Sequence, residues 1–241
     1  MHESPSIKTV AVIPSAGKGR RLGFRKKPYL MLNGKPVLAH TLSAFERCAL
    51  VQAVVVVAAP SDLEYCREKV VERYGFKKVI AVVEGGRERQ DSVRNAVDTL
   101  GDEWEIVVVH DGARPLVVPS LIERAVNAAR ECGGAITAVR PKDTIKEVDG
   151  SGRVKRTIAR ETLVSVQTPQ AFRLDLLRRA YREAARQGFT GTDDSTLVER
   201  LGERVAVVVG SYENIKITTE EDIAVAELIL RSREKGGAEG P

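Results

Sequence analysis

The sequence predicts an α/β protein built on a doubly wound, mostly parallel sheet. Residues 10–13, 53–59 and 106–109 are apolar runs with no polar alternation, the pattern of strands buried on both faces. Segments of helical periodicity separate them at the spacing of right-handed βαβ crossovers. Loops rich in glycine and charge follow the strands, where an open α/β sheet binds its ligands.

In chain order, the first strand (10–13) leads into Ser15-Ala16-Gly17-Lys18-Gly19-Arg20-Arg21, and Arg25, Lys26 and Lys27 follow within the same loop. Glycines let backbone N–H groups converge on phosphate oxygens while cationic side chains close around them, so this loop predicts a polyphosphate site. Taken alone, the same residues also fit a solvated basic face or a nucleic-acid patch. A helix is expected over 36–48, a strand over 53–59, and a helix from Ser61, as its cap, to about Arg73. A strand over 79–83 precedes Gly85-Gly86, and a helix is expected over about 88–100. The strand 106–109 runs directly into His110-Asp111-Gly112-Ala113-Arg114-Pro115. An acid straight after a buried strand, with Arg114 three residues on, marks Asp111 as a site residue, whereas His110 reads as a packed strand-end residue.

A helix over 120–131 and a strand over 135–139 complete the alternation. Residues 144–148 and 153–157 are short polar strands around Asp149-Gly150-Ser151-Gly152, a β-hairpin signature. Such a hairpin cannot sustain a core. It is expected to project as an arm over 141–160, resting on another subunit or standing free. Residues 164–172 hold Gln-Thr-Pro-Gln, 174–186 form an amphipathic helix, and Gly191-Thr192-Asp193-Asp194 precedes a short helix. Residues 205–209 are expected as a last buried strand. Thr219, Glu221 and Asp222 open the terminal helix. Residues 1–234 therefore read as one domain, and 235–241 as a disordered tail.

Composition narrows the class. Hydrophobic residues at 43% and charged residues at 29% describe a soluble globular chain, and a net charge of +5 suits small anionic ligands as well as a nucleic acid. The three cysteines are odd in number, widely spaced and without a neighbouring histidine, so neither a disulfide framework nor a zinc site is indicated. No secretory signal or membrane-length apolar run is evident, so a cytoplasmic location is expected.

Five motifs carry a resemblance: Ser15 to Arg21; Gly85-Gly86-x-x-Arg89-x-Asp91-Ser92-Val93; His110-Asp111-x-Ala113-Arg114-Pro115; Thr168-Pro169-Gln170-x-Phe172; and Asn214-Ile215-Lys216. Their order and spacing, over nearly the whole chain, resemble the 2-C-methyl-D-erythritol 4-phosphate cytidylyltransferases. The resemblance implies a Rossmann-like nucleotidyltransferase sheet and transfer of CMP from CTP to methylerythritol phosphate with Mg²⁺, a step of non-mevalonate isoprenoid synthesis. It also implies residue roles. Arg21 and Lys27 would hold the triphosphate, and Ser15, Ala16, Gly17 and Gly19 the nucleotide. Gly86, Arg87 and Ser92 would read the cytosine. Asp111 and Arg114 would lie near the ribose, metal or acceptor, with Asp111 the metal ligand. Thr144 and Lys216 would engage acceptor or product phosphates, with Lys216 catalytic. Arg160, Thr168 and Thr192 would reach the acceptor from the partner of a homodimer through exchanged arms.

Two departures from the family pattern stand out. Lys26-Lys27-Pro28 places proline after the catalytic lysine rather than before it, which favours extended geometry at Lys27. Arg87 stands where the family often has an acid. Competing readings are a cytidylyltransferase for another polyol phosphate such as ribitol 5-phosphate, a dinucleotide-dependent dehydrogenase and a nucleic-acid-binding module. The dehydrogenase fingerprint is broken by Leu22 at the third glycine and by Ala58-Ala59-Pro60 in place of the ribose-binding acid. An aromatic content of 5% does not supply the base-stacking surface of a nucleic-acid binder.

Overall fold

The computed structural model describes residues 7–17 and 27–236. The elements run β1 (Thr9–Pro14), β2 (Met31–Leu32), β3 (Lys35–Pro36), α1 (Val37–Arg47), β4 (Ala53–Ala58), α2 (Leu63–Cys66), β5 (Val79–Glu84), α3 (Arg89–Asp98) and β6 (Ile106–Val109). Then follow α4 (Pro119–Cys132), β7 (Gly134–Val139), β8 (Ile145–Val148), β9 (Val154–Ile158), β10 (Ser165–Arg173), α5 (Leu174–Arg186), α6 (Asp194–Glu199), β11 (Ala206–Val209) and α7 (Glu220–Gly236).

Seven strands form the central sheet in the order β11-β7-β10-β6-β1-β4-β5. The valine runs occupy its middle as expected, and successive side chains divide between two cores. Ala11, Ile13, Val54, Val56 and Val108 face α1 and α4. Val10, Val12, Val55, Val57, Val107 and Val109 face α3 and α5. Each fully buried valine contributes about 1.5–3 kcal/mol, so this double-sided burial fixes the register.

One strand is antiparallel. β10 lies between β6 and β7 and runs against both, with a register shift between Gln167 and Gln170. Polar residues and Pro169 hide it from a periodicity reading; the irregularity carries Thr168-Pro169 to the edge where the parallel strands end. β11 lies at the sheet margin, paired among the described residues only with β7, and leaves Val207 and Val209 at 55% and 73% exposure. The expected last buried strand is thus an edge strand: Ala206 and Val208 pack on one core and Val205 on the other, while Val207 and Val209 face outward. Ser61 does not cap a helix: its hydroxyl donates to Asp62 Oδ1 at 2.8 Å inside a 3-10 turn, Pro60–Asp62.

β8 and β9 pair with each other in a sheet of their own, with Val148 and Val154 exposed. Asp149 Oδ1 closes the hairpin by accepting from the Ser151 and Arg153 N–H groups at 2.9 and 3.0 Å. At the other end of the chain, α7 reaches Gly236, two residues beyond the expected end of the domain. Residues 237–241 lie outside the described residues. No helix among the described residues is long and apolar enough to cross a membrane.

Candidate active site

The parallel ladder continues past the strand ends and so positions the loops. Ser15 N–H donates to Val57 O at 2.7 Å, Gly85 N–H to Ala58 O at 2.9 Å, His110 N–H to Val12 O at 3.0 Å and Gly112 N–H to Pro14 O at 3.1 Å. A Cβ at Gly112 would stand 2.0 Å from Ser15 Oγ and 3.3 Å from Leu38 Cδ1, so a larger residue there would turn the Ser15 hydroxyl away. Gly86 meets a similar limit, its Cβ falling 2.2 Å from Asp91 Cβ. Ser92 Oγ accepts from Gly86 N–H and donates to Glu88 O, each at 3.0 Å, which ties the Gly86 turn to the start of α3.

These loops surround a cavity of about 410 Å³ lined by Ser15, Ala16, Gly17, Lys27, Gly86, Arg87, Arg89, Ser92, Asp111 and Lys216. A second cavity, about 420 Å³, is lined by Arg89, Asp111, Arg114, Thr168, Gln170, Thr192 and Lys216 among others. Asp111, Arg89 and Lys216 line both. Lys27 opens a 3-10 turn, Lys27–Tyr29, in which its carbonyl accepts from Leu30 N–H at 3.3 Å. The extended geometry that Pro28 favours at Lys27 thus gives way to a 3-10 turn that begins at the lysine. Gly19 and Arg21 lie outside the described residues.

Asp111 is the electrostatic hub. Its Oδ1 accepts from Arg89 Nε at 3.0 Å, its Oδ2 from Lys216 Nζ at 2.7 Å, and Arg114 Nε lies 3.9 Å away. Burial would raise its pKa, but Arg89, Lys216 and Arg114 outweigh burial and hold the carboxyl well below the usual carboxylate range. Arg89 continues the chain, its Nη1 meeting buried Asp194 Oδ2 at 2.8 Å, and Asp194 Oδ1 accepts from the Tyr181 hydroxyl. Burial opposes the Arg89 charge, yet Asp194 and Asp111 raise its pKa above the ordinary guanidinium value. Burial, reinforced by Asp194, pushes the Tyr181 phenol well up.

The segment carrying Lys216 is held at both sides. Arg114 Nη1 donates to Asn214 O at 2.7 Å, Asn214 Nδ2 to Thr168 O at 2.8 Å, and Ile217 N–H to Ala113 O at 2.8 Å. Thr168 Oγ1 accepts from Asp111 N–H at 3.0 Å. His110 is fully buried beside Phe45, and burial pushes its imidazole down to about 4, so it is neutral at pH 7 and fills the strand-end role expected of it.

Nearly all of the expected site residues in the described segments converge on the two cavities. Thr168 and Thr192, which the family resemblance assigns to the partner's side, line the second cavity with Asp111 of their own chain, because β10 and the 191–194 loop end at the same sheet edge. Thr144 and Arg160 line neither cavity: both are exposed at the base of the hairpin, where Arg160 Nη1 donates to Lys142 O at 3.1 Å. Arg89, Gln170 and Asp194 were not assigned roles from the sequence. Arg89 falls inside the Gly85 to Val93 motif, but its two acidic partners are not legible from the motif.

The donor set does not form an all-protein metal cage, and Asp111 is the acid that would meet a Mg²⁺ ion carried on a nucleotide's phosphates. Among the described residues no three His, Cys, Asp or Glu side chains gather, and both Asp111 oxygens already face cations.

A mostly parallel sheet with two adjoining cationic cavities at its carboxyl edge, sharing one fully ion-paired aspartate, belongs to an α/β transferase that juxtaposes two phosphorylated ligands, the nucleotidyltransferase class. Residues 9–232 match the family profile described as 2-C-methyl-D-erythritol 4-phosphate cytidylyltransferase. The chain is 50% identical over 228 residues to the protein of that name from Pelotomaculum thermopropionicum, covering 94% of this chain and 96% of the relative. It is 48% identical to that from Geotalea uraniireducens, covering 94% and 98%. The crystal structure of a 4-diphosphocytidyl-2C-methyl-D-erythritol synthase from Anaerococcus prevotii superposes with a TM-score of 0.84 at 34% identity, covering 94% and 97% of the two chains. The chain belongs to the 2-C-methyl-D-erythritol 4-phosphate cytidylyltransferase family.

Proposed function

We propose that this enzyme transfers CMP from CTP to 2-C-methyl-D-erythritol 4-phosphate, forming 4-diphosphocytidyl-2-C-methyl-D-erythritol and pyrophosphate. The observation that carries the reading is the meeting of two cavities at Asp111, Arg89 and Lys216. CTP, taken up as its Mg²⁺ complex, occupies the cavity of Ser15, Lys27, Gly86 and Ser92; the acceptor occupies that of Arg114, Thr168 and Thr192.

The acceptor needs no general base. A phosphate monoester has a second pKa of about 6, so it arrives mostly as the dianion. One of its oxygens bonds to the α-phosphorus as the bond to the α–β bridging oxygen breaks, and that electron pair leaves on pyrophosphate. No proton moves. Buried, neutral His110 is accordingly outside the chemistry. What the reaction requires is suppression of repulsion between two anions and in-line alignment. Lys27 and Arg21 meet the triphosphate, Lys216 stands between the ligands, and Arg114 meets the acceptor phosphate. Gly86 and Arg87 present backbone groups to the cytosine, and Asp111 orients Lys216 while facing the ribose.

The chain acts as one cytoplasmic catalytic domain of a homodimer. The 141–160 arm reaches the neighbouring subunit, so that Thr144 and Arg160 complete its acceptor cavity. Their exposure outside their own cavities supports this assignment. Family membership favours methylerythritol phosphate over ribitol 5-phosphate.

Pyrophosphate release from CTP with each acceptor tests the reading. Turnover with methylerythritol phosphate, and loss of about 100-fold to 1000-fold in Lys27→Ala and in Arg21→Ala, is expected. Equal or better turnover with ribitol 5-phosphate, or wild-type activity in either variant, overturns it.

A further inference from the structure

Gln90 lines neither cavity, yet its side chain spans from the nucleotide side to the acceptor side. It is the second residue of α3, directly after Arg89. Its Nε2 donates to Phe189 O at 3.1 Å and its Oε1 accepts from Gly191 N–H at 2.8 Å, so one amide grips both sides of Thr190 from about a hundred residues away in sequence. The segment so held enters after Gly188, at a φ of 61°, and carries Thr192 to the second cavity.

The rest of this loop is anchored separately. Phe189 packs on the core under the Arg200 guanidinium, 4.3 Å from the ring centroid. At the far end, Gln170 Nε2 donates to Asp193 Oδ2 at 2.7 Å and its Oε1 accepts from Ser195 N–H at 3.2 Å. Thr192 is exposed between these anchors, its hydroxyl 3.3 Å from Thr196 Oγ1. The Gln90 amide therefore ties the stretch just before Thr192 to the helix that opens from the Gly86 turn.

We propose that Gln90 is a positioning residue for the acceptor: it fixes the 189–192 loop to α3, sets where Thr192 meets the acceptor, and carries order from the occupied nucleotide cavity to that loop. This rests on the assignment of the second cavity to the acceptor. An amide satisfies the geometry because it donates to a carbonyl and accepts from an N–H at once.

Gln90→Met keeps length and helix propensity while removing both hydrogen bonds. Together these are worth about tenfold in loop ordering. The expected result is a KM for methylerythritol phosphate raised about tenfold, with the KM for CTP within about twofold of wild type and the thermal midpoint lowered by no more than about 5 °C. Gln90→Glu keeps the acceptor for Gly191 N–H and is expected to fall between the two. Amide exchange gives a readout independent of turnover: CTP slows exchange at Gly191 in the wild type and does not in Gln90→Met. An unchanged acceptor KM in Gln90→Met overturns the proposal, as does an equal rise in both KM values or CTP protection of Gly191 that survives the substitution. If wild-type protein turns over a different acceptor, the assignment of the substrate fails, while Gly191 exchange still reports on the Gln90 clamp.

Discussion

Asp111 and Lys216, 105 residues apart in sequence, meet at 2.7 Å where the two cavities join. One member is buried and the other is 41% exposed at the side chain, so the two halves of the pair have different tasks. Asp111 is held by Arg89 as well and belongs to the interior; Lys216 can turn its charge toward ligand.

Removing each member therefore gives different outcomes. Lys216→Ala is expected to lower kcat by about 100-fold to 1000-fold, as for loss of one preorganised donor, and to leave the thermal midpoint near wild type. Asp111→Ala removes one of the two carboxylates that hold Arg89 and the one nearest Arg114 Nε, and is expected to destabilise by about 1–3 kcal/mol. Steady-state kinetics and urea unfolding of the two variants distinguish them; equal stability losses contradict the division of roles.

The Tyr181 hydroxyl donates to Asp194 behind Arg89, and neither Tyr181 nor Asp194 lines a cavity. Tyr181→Phe removes a hydrogen bond to a buried carboxylate while keeping the ring in the core. A loss of about 1.5–3 kcal/mol in urea unfolding is expected, with kcat/KM reduced far less than by any change at Lys216. A variant as stable as wild type means that the phenol does not support Asp194.

How far the sequence reached follows the range of each signal. Local patterns placed β1, β4 and β6, because unbroken valine runs have one reading inside a sheet covered on both sides. They placed the loops at one edge for the same reason. They did not place β10, where Pro169 and the glutamines disguise a central antiparallel strand; the bond from Asp111 N–H to Thr168 Oγ1 within the chain follows from that strand and has no local signature. Val205–Val209 misled in the other direction: an apolar run is ambiguous between a central strand and an edge strand until its neighbours are counted. The network from Asp111 through Arg89 to Asp194 and Tyr181 joins three distant segments and has no local signature.

His110 predicts a pH dependence of stability. Its folded pKa, pushed down to about 4 by burial, lies below the unfolded value of 6.5. Between these values the unfolded chain binds the proton and the folded chain does not, so stability is full above about pH 6.5 and falls as the pH drops toward 4, by about 3 kcal/mol. Asp111 adds nothing in that window: its depressed pKa makes its contribution fade only below the unfolded aspartate value, near pH 4. Urea midpoints measured from pH 7.5 to 4 in wild type and His110→Gln test the assignment. The variant should lose the His110 share of the slope and keep that of His40, whose imidazole pKa burial also lowers; an unchanged slope places the sensitivity elsewhere.

Gly86→Ala isolates the nucleotide side. The new Cβ would lie 2.2 Å from Asp91 Cβ and 3.1 Å from the Asp91 carbonyl carbon, so the turn must move away from α3 and from Ser92 Oγ. The KM for CTP is expected to rise about tenfold or more while the KM for the acceptor changes little, the reverse of the pattern expected for Gln90→Met. Isothermal titration with CTP gives the same comparison without turnover; wild-type affinity would mean that the Gly86 turn does not carry the base.

Exchange of arms between subunits is tested by mixing two inactive chains. Thr144 and Arg160 are exposed outside the cavities of their own chain, whereas Lys27 lines the first cavity. If the arm serves the neighbour, a heterodimer of Lys27→Ala and Arg160→Ala chains has one site carrying both lesions and one carrying neither. Random reassortment after denaturation and refolding makes half of the dimers mixed, so activity should return to about a quarter of wild type. If Arg160 instead serves its own chain, every site carries one lesion and mixing restores nothing. Titrating one variant against the other, with pyrophosphate release as the readout, separates the two arrangements because only exchange gives a maximum at equal proportions.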